Sequence, residues 1–379
     1  MHREPQASNT TDYMLSNKTI AVVVPAYNEE KQIGQVIETM PGFVDRIIVV
    51  NDCSSDSTAD VVLGYVNKDR AETQAIPSIL NNIEKKKYNH ADWIVQEQSR
   101  GELEKFLPSK IVNKDPDQER IILINQQVNG GVGAAIARGY KWCKDHGIDC
   151  TAVMAGDGQM DPDELEKICR PVLDEGIDYV KGNRLIHRSS LFVIPRVRYF
   201  GNSILSILTK VASGYWHVSD TQTGYTAISN RALNSIRLYR IYRRYGMPND
   251  MLVKLNIAFC TIKEVEIKPV YFIGETSKMK VRKVIPKISW LLFKSFFRRL
   301  WVKYLFKDFH PLFLLYHLAF FLLLLSIPFL ILILEKVFIP GQDIVSNNLV
   351  IFVFLFISAF QSFLFAMWMD IQDNERLYK

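Results

Sequence analysis

Three carboxylates set at the ends of apolar runs are the residues of this chain best placed to do chemistry. In Val153-Met154-Ala155-Gly156-Asp157-Gly158-Gln159-Met160-Asp161-Pro162 an apolar stretch stops in a glycine-flanked Asp157, with Gln159 two residues on, and then opens a helix. The run Ile47 to Val50 ends on Asn51-Asp52, and Ile20 to Val24 ends on Pro25-Ala26-Tyr27-Asn28-Glu29. Oxygen donors just beyond the C-terminal end of a buried strand are where α/β enzymes hold metal and phosphate groups. A carboxylate such as Asp52 can there accept a base N–H or a ribose hydroxyl, with turn capping as the structural alternative. Cations follow downstream in Lys181-Gly182-Asn183-Arg184 and Arg196-Val197-Arg198. Guanidinium forks match phosphate oxygens, so Arg184 and Arg198 are candidates for a diphosphate or an acceptor phosphate, against simple solvation at the surface. His187, His217 and His310 have no metal-ligand spacing, and no Ser-His-Asp set or paired-glutamate arrangement stands out.

The elements that must position these groups alternate along the chain. Strands are predicted over Ile20 to Ala26, Arg46 to Val50, Arg120 to Asn125, Thr151 to Met154 and Tyr179 to Lys181, as β-branched runs suited to burial on both faces. Helices are expected over Asn28 to Thr39, Asp56 to Val66, Gly131 to His146 and Pro162 to Leu173. Successive βαβ units imply a parallel sheet with right-handed crossovers and ligands at its carboxyl edge. Residues 67–119 interrupt this rhythm with a polar, Lys- and Asn-rich stretch, expected to be an inserted small helical unit or a flexible flap. The run Asn129-Gly130-Gly131-Val132-Gly133-Ala134-Ala135 fits a dinucleotide loop only superficially, and close helix–sheet packing is its expected role. Asp163 and Glu164 read as an acid-rich helix start.

Hydrophobic residues make up 48% of the chain, unevenly spread. Residues 312–334 and 349–369 carry no formal charge, and at 1.5 Å per residue each spans roughly 30 Å, the depth of a bilayer's hydrocarbon core. Between Gly274 and His310 ten Lys or Arg face two acids, a local surplus larger than the net +6 of the whole chain. The basic balance is therefore a membrane-facing feature and not a nucleic-acid signature. Residues 286–309 mix Trp, Phe and Leu with Lys and Arg, as an interfacial helix does. Met1 to Lys18 is polar and lacks an apolar signal core, and the 335–348 loop has one Lys. The expectation is a multi-pass protein of the cell membrane, or of an ER-type membrane in a eukaryote, with both termini and the catalytic half cytoplasmic. Cys53, Cys143, Cys150, Cys169 and Cys260 form no CxxC pair and read as reduced thiols.

Together these segments resemble family 2 glycosyltransferases, which have the GT-A fold, and most of all the branch that loads a sugar onto a polyprenyl (dolichyl) phosphate. The resemblance runs from Thr19 to Lys278 apart from the insertion. It extends through Asp220-Thr221-Gln222-Thr223-Gly224-Tyr225, similar to an Asp-x-x-x-Gly-[Phe/Tyr] loop, through Pro248-Asn249-Asp250-Met251-Leu252, and through Val265 to Tyr271 followed by Ser277-Lys278. It implies an α/β, GT-A-type, Rossmann-like and mostly parallel sheet with helices on both faces, followed by a juxtamembrane helix and two transmembrane helices. The implied divisions are a tail at 1–18, the catalytic domain at 19–272, a basic segment at 273–310, a transmembrane hairpin at 311–369 and a tail at 370–379. Donor binding is implied for Pro25, Tyr27, Glu29, Asp52, Gly133, Gly156 and Asp157. Catalytic roles are implied for Asp157, Arg184, Arg198, Asp220 and Asp250, and phosphate or acceptor contacts for Arg184, Arg198, Ser277 and Lys278. The family's Asp-x-Asp-x-Gln pattern falls on Ala155, Asp157 and Gln159, so the first aspartate is replaced and Asp157 with Gln159 is left to hold Mg²⁺ or Mn²⁺.

The expected partners are a UDP- or GDP-linked sugar donor, a polyprenyl-phosphate acceptor and membrane lipid, with no nucleic acid. The expected reaction is a single inverting hexosyl transfer, in keeping with the lack of a Gln-x-x-Arg-Trp motif of processive synthases. The alternatives are a catalytically impaired membrane-tethered binding or scaffold protein and an anionic-lipid-binding adaptor.

Overall fold

The computed structural model describes residues 15–69, 73–80, 85–193, 196–270, 281–338 and 346–379. One eight-stranded sheet organises residues 20–266, in the order β3-β4-β2-β1-β5-β7-β6-β8. Its strands are β1 Ile20–Ala26, β2 Arg46–Asn51, β3 Ser109–Ile111, β4 Ile121–Gln126, β5 Cys150–Val153, β6 Tyr179–Asn183, β7 Thr226–Ser229 and β8 Ile262–Glu266. The β-branched runs read as strands because successive side chains serve opposite faces. On one face Ala21, Val23, Ile48, Val50, Ile122 and Ile124 pack with α4 (Val132–Asp145) and α9 (Met247–Ile257). On the other, Ile20, Val22, Val24, Ile47 and Val49 pack with α1 (Ile33–Glu38), α2 (Thr58–Lys68) and α5 (Leu165–Asp174).

Strands β4, β2, β1 and β5 pair in parallel, as expected. The expected direct succession from β5 to β6 does not hold, because β7 lies between them and is antiparallel to both. Two antiparallel steps restore the direction, and β8 pairs with β6 in parallel. Strands β1, β2, β4, β5, β6 and β8 thus all end at one edge. Between β6 and β7 the chain makes a long excursion through α6 (Ser190–Val193) and α7 (Arg196–Ser213), and β7 runs on into α8 (Asn230–Ser235). Within the 67–119 insertion α3 (His90–Gly101) forms and β3 pairs antiparallel with β4, so the insertion also adds an edge strand.

The expected helix over Asn28 to Thr39 begins only at Ile33. Asn28 takes φ +56°, and its Oδ1 accepts the Ser55 amide at 2.9 Å, which fastens the first loop to the second.

Below the sheet α10 (Val281–Trp301) passes through a π-helical turn, Val302–Lys307, into α11 (Leu312–Phe338), which pairs with α12 (Ser346–Glu375). Ile288, Leu292, Phe296 and Leu300 bury one stripe of α10 with α7, α9 and the base of the hairpin. Trp290 and Phe293 stay exposed on the same helix, as an interfacial helix requires. Both α11 and α12 are long and apolar enough to cross a membrane, and 11% of the most apolar stretch of each is buried. A core helix of that composition would be mostly covered, and these two are not.

Candidate active site

The common strand edge gathers the sequence-predicted groups. The loop after β5 presents Asp157 and Gln159, the end of β6 presents Arg184, and the chain beyond β8 presents Lys268. Together with Ala155, Asp161 and Glu164 these residues line one pocket, closed on a further side by Thr223-Gly224-Tyr225. Gly156 lets this loop come close, since a Cβ there would lie 3.2 Å from the Pro25 carbonyl oxygen, which accepts its amide. Asp157 Oδ1 accepts the Gln159 amide at 3.0 Å, a turn completed by Gly158 at φ +72°. Asp161 caps the next helical turn by accepting the Asp163 amide at 3.0 Å. Tyr225 anchors the opposite wall by donating its hydroxyl to the Asp161 carbonyl at 2.9 Å.

Arg184 is held by Asp220. Nε and Nη2 donate to the two Asp220 oxygens at 2.8 and 3.1 Å, and the Arg184 amide donates at 3.2 Å. Burial alone would raise the Asp220 carboxyl, but the Arg184 fork, with Lys181 behind it, holds it below the ordinary carboxylate range. Asp220 is in turn placed by Glu264 of β8, whose oxygens accept the Ser219 and Asp220 amides at 2.9 and 3.0 Å and Asn183 Nδ2 at 2.9 Å. Lys181 lies fully buried between Asp220 and Glu264 and donates to the Thr223 carbonyl. Desolvation pushes its ammonium down to about 8, against the pull of those two carboxylates. Asn249 of α9 steadies the same loop, its Oδ1 accepting Gln222 Nε2 at 2.8 Å and the Thr209 hydroxyl at 2.9 Å.

The first two strand-end loops are zipped together. The Glu29 amide donates to Thr58 Oγ1 at 2.9 Å and the Asn28 amide to Ser54 Oγ at 3.0 Å, with Tyr27 exposed above them. Asp52 is buried and each of its oxygens accepts one glycine-loop amide, from Gly130 and Gly131, both at 2.7 Å. Its carboxyl is raised by desolvation, opposed by those two amides and by Arg244. Of the roughly four lone-pair sites of a carboxylate, about two are left for a further hydrogen-bond donor. Gly133 serves close packing, though against the turn before α9 and not against the sheet: its amide donates to the Arg243 carbonyl at 2.8 Å, and a Cβ there would lie 2.1 Å from the Tyr242 oxygen. Asp250 supports this turn from α9, accepting the Tyr242 amide at 2.8 Å and pairing with Lys254. It is not among the residues that line the pocket.

The pocket chemistry suits a hard cation only in a lightly ligated form. Among the described residues no group of three His, Cys, Asp or Glu side chains could by itself hold an ion. Asp157 and Gln159 lie side by side on the wall, and Glu164 keeps a buried Oε2 without a hydrogen-bond partner among the described residues. One carboxylate and one amide oxygen fit Mg²⁺ or Mn²⁺ whose remaining ligands are water and diphosphate, because Mg²⁺ is commonly held that way. Lys268 stands 3.5 Å from Asp161 and 3.8 Å from Glu164, a second cation beside Arg184 on this wall. Sequence reasoning missed Lys268 and Glu264. The signal for Lys181 is a charge inside a strand that must be buried, which demands a partner. Arg198 falls in α7 with its side chain outside the described residues, and Ser277 and Lys278 also lie outside them.

The sequence profile described as Glycosyl transferase family 2 matches residues 21–76 and 74–237. A UDP-N-acetylglucosamine–dolichyl-phosphate N-acetylglucosaminyltransferase of Methanococcus voltae is 28% identical over 291 residues, which is 76% of this chain and 98% of that protein. A dolichyl-phosphate beta-glucosyltransferase of Trichomonas vaginalis is 23% identical over 305 residues, 74% of each chain. Among solved structures, glucosyl-3-phosphoglycerate synthase of Mycobacterium tuberculosis with uridine diphosphate aligns at a TM-score of 0.46 and 19% identity, covering 79% of this chain and 86% of that one.

Proposed function

The chain belongs to glycosyl transferase family 2, and from that premise we propose that it moves a hexose from a nucleoside-diphosphate sugar to a polyprenyl phosphate at a membrane surface. The observation that carries this reading is the pairing of Arg184, set by Asp220, with Asp157 and Gln159 in one strand-edge pocket, in a chain that also carries two lipid-seeking helices. The names of the Methanococcus and Trichomonas relatives support the acceptor class. Both α11 and α12 would span the bilayer, with the catalytic half on the cytoplasmic side, where the basic stretch 274–310 meets anionic headgroups.

An acceptor phosphate carries about −1.5 to −2 charge at pH 7 and is already a nucleophile. One of its oxygens attacks the anomeric carbon as the bond from that carbon to the diphosphate oxygen breaks, inverting the configuration in a single step. No general base is needed, so the protein's part is alignment and stabilisation of the leaving group. Pro25, Tyr27, Glu29 and Asp52 would hold the nucleoside, while Arg184 and Lys268 face the diphosphate. Asp157 and Gln159 would hold a divalent cation, which neutralises charge on the departing diphosphate when bound. Arg198, Ser277 and Lys278 would meet the acceptor phosphate.

The test is direct. Purified protein is given UDP- and GDP-sugars with Mn²⁺ or Mg²⁺, and binding is followed by thermal stabilisation. Radiolabelled sugar appearing in a lipid phosphate is the expected product. Stabilisation by a nucleotide sugar without any transfer to polyprenyl phosphate would favour the tethered binding protein that Ala155 suggests.

A further inference from the structure

At the foot of the catalytic half a buried polar cluster joins α10, α12 and the end of the chain, and the transfer chemistry makes no use of it. Arg299 is 0% exposed, and its guanidinium forks onto Asp370 of α12 with two contacts of 2.7 Å. Nε and Nη2 also donate to the carbonyls of Ala212 and Val211 in the last turn of α7, each at 3.0 Å. The backbone is shaped around this group: Gly214 takes φ +79°, and a Cβ there would lie 2.5 Å from Arg299 Nη1. Lys303, equally buried, donates to Asn256 of α9 at 3.1 Å and pairs with Asp373 at 3.2 Å. Beyond α12 the chain lies along β8. The Ile262 amide donates to the Leu377 carbonyl at 2.7 Å, and the Lys379 amide donates to Ile262 at 3.0 Å. The Leu377 side chain enters the same apolar cluster as β1 and α4.

Stability alone is a poor reason for this arrangement, because well-packed apolar residues replace a buried ion pair at no loss, and often with a gain. Geometry is the better reason. From Ile262 the strand reaches Glu264, which fixes the Asp220 amide, and Asp220 fixes Arg184. The outgoing end of a lipid-seeking helix is thereby tied by a short run of directed bonds to the phosphate-binding side of the pocket. We propose that Arg299 and Asp370 are a positioning pair that sets the height and tilt of Arg184 over the bilayer surface, so that a membrane-embedded phosphate meets the donor in line. This rests on the polyprenyl-phosphate reading of the acceptor. An acceptor free in water reaches the pocket by diffusion and has no need of that registration.

The full chain is reconstituted in lipid nanodiscs and assayed with a long-chain polyprenyl phosphate, and in detergent with a short water-soluble prenyl phosphate. Arg299→Lys removes the fork and keeps the charge. The double variant Arg299→Met with Asp370→Leu removes the charges while preserving a packed interior, which guards against simple unfolding. For both variants kcat/KM with the embedded acceptor is expected to fall at least tenfold, while donor affinity and kcat/KM with the soluble acceptor stay within twofold. Equal losses with both acceptors would mean a purely structural role, and no loss with either would remove the pair from positioning; each result overturns the proposal. Wild-type protein inactive with both acceptors would overturn the acceptor reading, and the proposal with it.

Discussion

Arg184 and Asp220 meet as a fork, Nε to Oδ2 at 2.8 Å and Nη2 to Oδ1 at 3.1 Å, with the carboxylate buried and the guanidinium partly open to the pocket. The carboxylate is therefore a fixed mount for a cation that faces the pocket. Asp220→Asn keeps the volume and removes the charge, so Arg184 loses its bidentate partner. Transfer rate is expected to fall on the order of 100-fold, the scale seen when a preorganised donor to developing charge is lost, with a smaller change in donor affinity. Steady-state kinetics beside a nucleotide titration separates the two.

Asp157→Ala is expected to abolish metal-dependent transfer and leave the melting curve native. Ala155→Asp should work in the opposite sense for the cation. It restores a carboxylate beside Asp157 and lowers the Mn²⁺ concentration needed for thermal stabilisation, since affinity rises with ligand charge. Unchanged turnover in the first variant would remove Asp157 from the site.

Asp52→Ala leaves the Gly130 and Gly131 amides without their acceptor. A buried donor so stranded costs about 1–3 kcal/mol. Donor binding should weaken by about that much as the glycine loop loosens, and denaturant unfolding should show a matching loss of stability. Weakened binding with unchanged stability would assign the carboxylate to the nucleoside alone, and an unaltered donor affinity would leave it a loop cap.

Lys181 gives the protein a pH signature. Its ammonium is pushed down to about 8 in the folded state from 10.5. Between those values the unfolded chain holds the proton that the folded chain has released. Stability therefore rises with pH across that window, by at most about 1.4 kcal/mol per unit. Lys181→Met should flatten this rise, leaving the share of Lys303, whose ammonium desolvation also pushes down to about 8. Denaturant midpoints of both proteins measured across the window would decide it, and parallel curves would refute the assignment.

Gly133→Ala drives a methyl group into the Tyr242 carbonyl. A loss of about 1–3 kcal/mol is expected from such overpacking. Thermal unfolding of the variant measures it, and a neutral result would show that the turn before α9 can yield.

The parallel half of the sheet was legible because β1, β2, β4 and β5 are apolar runs whose alternate residues feed two cores. Short strands escaped notice. Thr226–Ser229 and Ser109–Ile111 have too few residues to show a period, and each is a strand only because a longer neighbour pairs with it. Within the site, Asp157, Gln159 and Arg184 could be found from strand ends followed by polar residues. Glu264 could not, since a carboxylate in Ile262-Lys263-Glu264-Val265-Glu266 looks like one side of a solvated edge until β6 and the Ser219 loop cover it. Asp52 stood out as a carboxylate at a strand end, but its bonds to Gly130 and Gly131 join positions far apart in the chain and leave no local pattern.

The antiparallel pairing of β6 with β7 pins the intervening excursion at both ends. Both of its ends are fixed by sheet register, with Tyr179 opposite Ile228 and Lys181 opposite Thr226. Everything from α6 through α7 is therefore a cassette hung between two anchored ends. It is held a third time where Arg299 takes the Val211 and Ala212 carbonyls, so a change in its length has to be absorbed ahead of α7, since neither the paired strands nor the last turn of α7 can follow it.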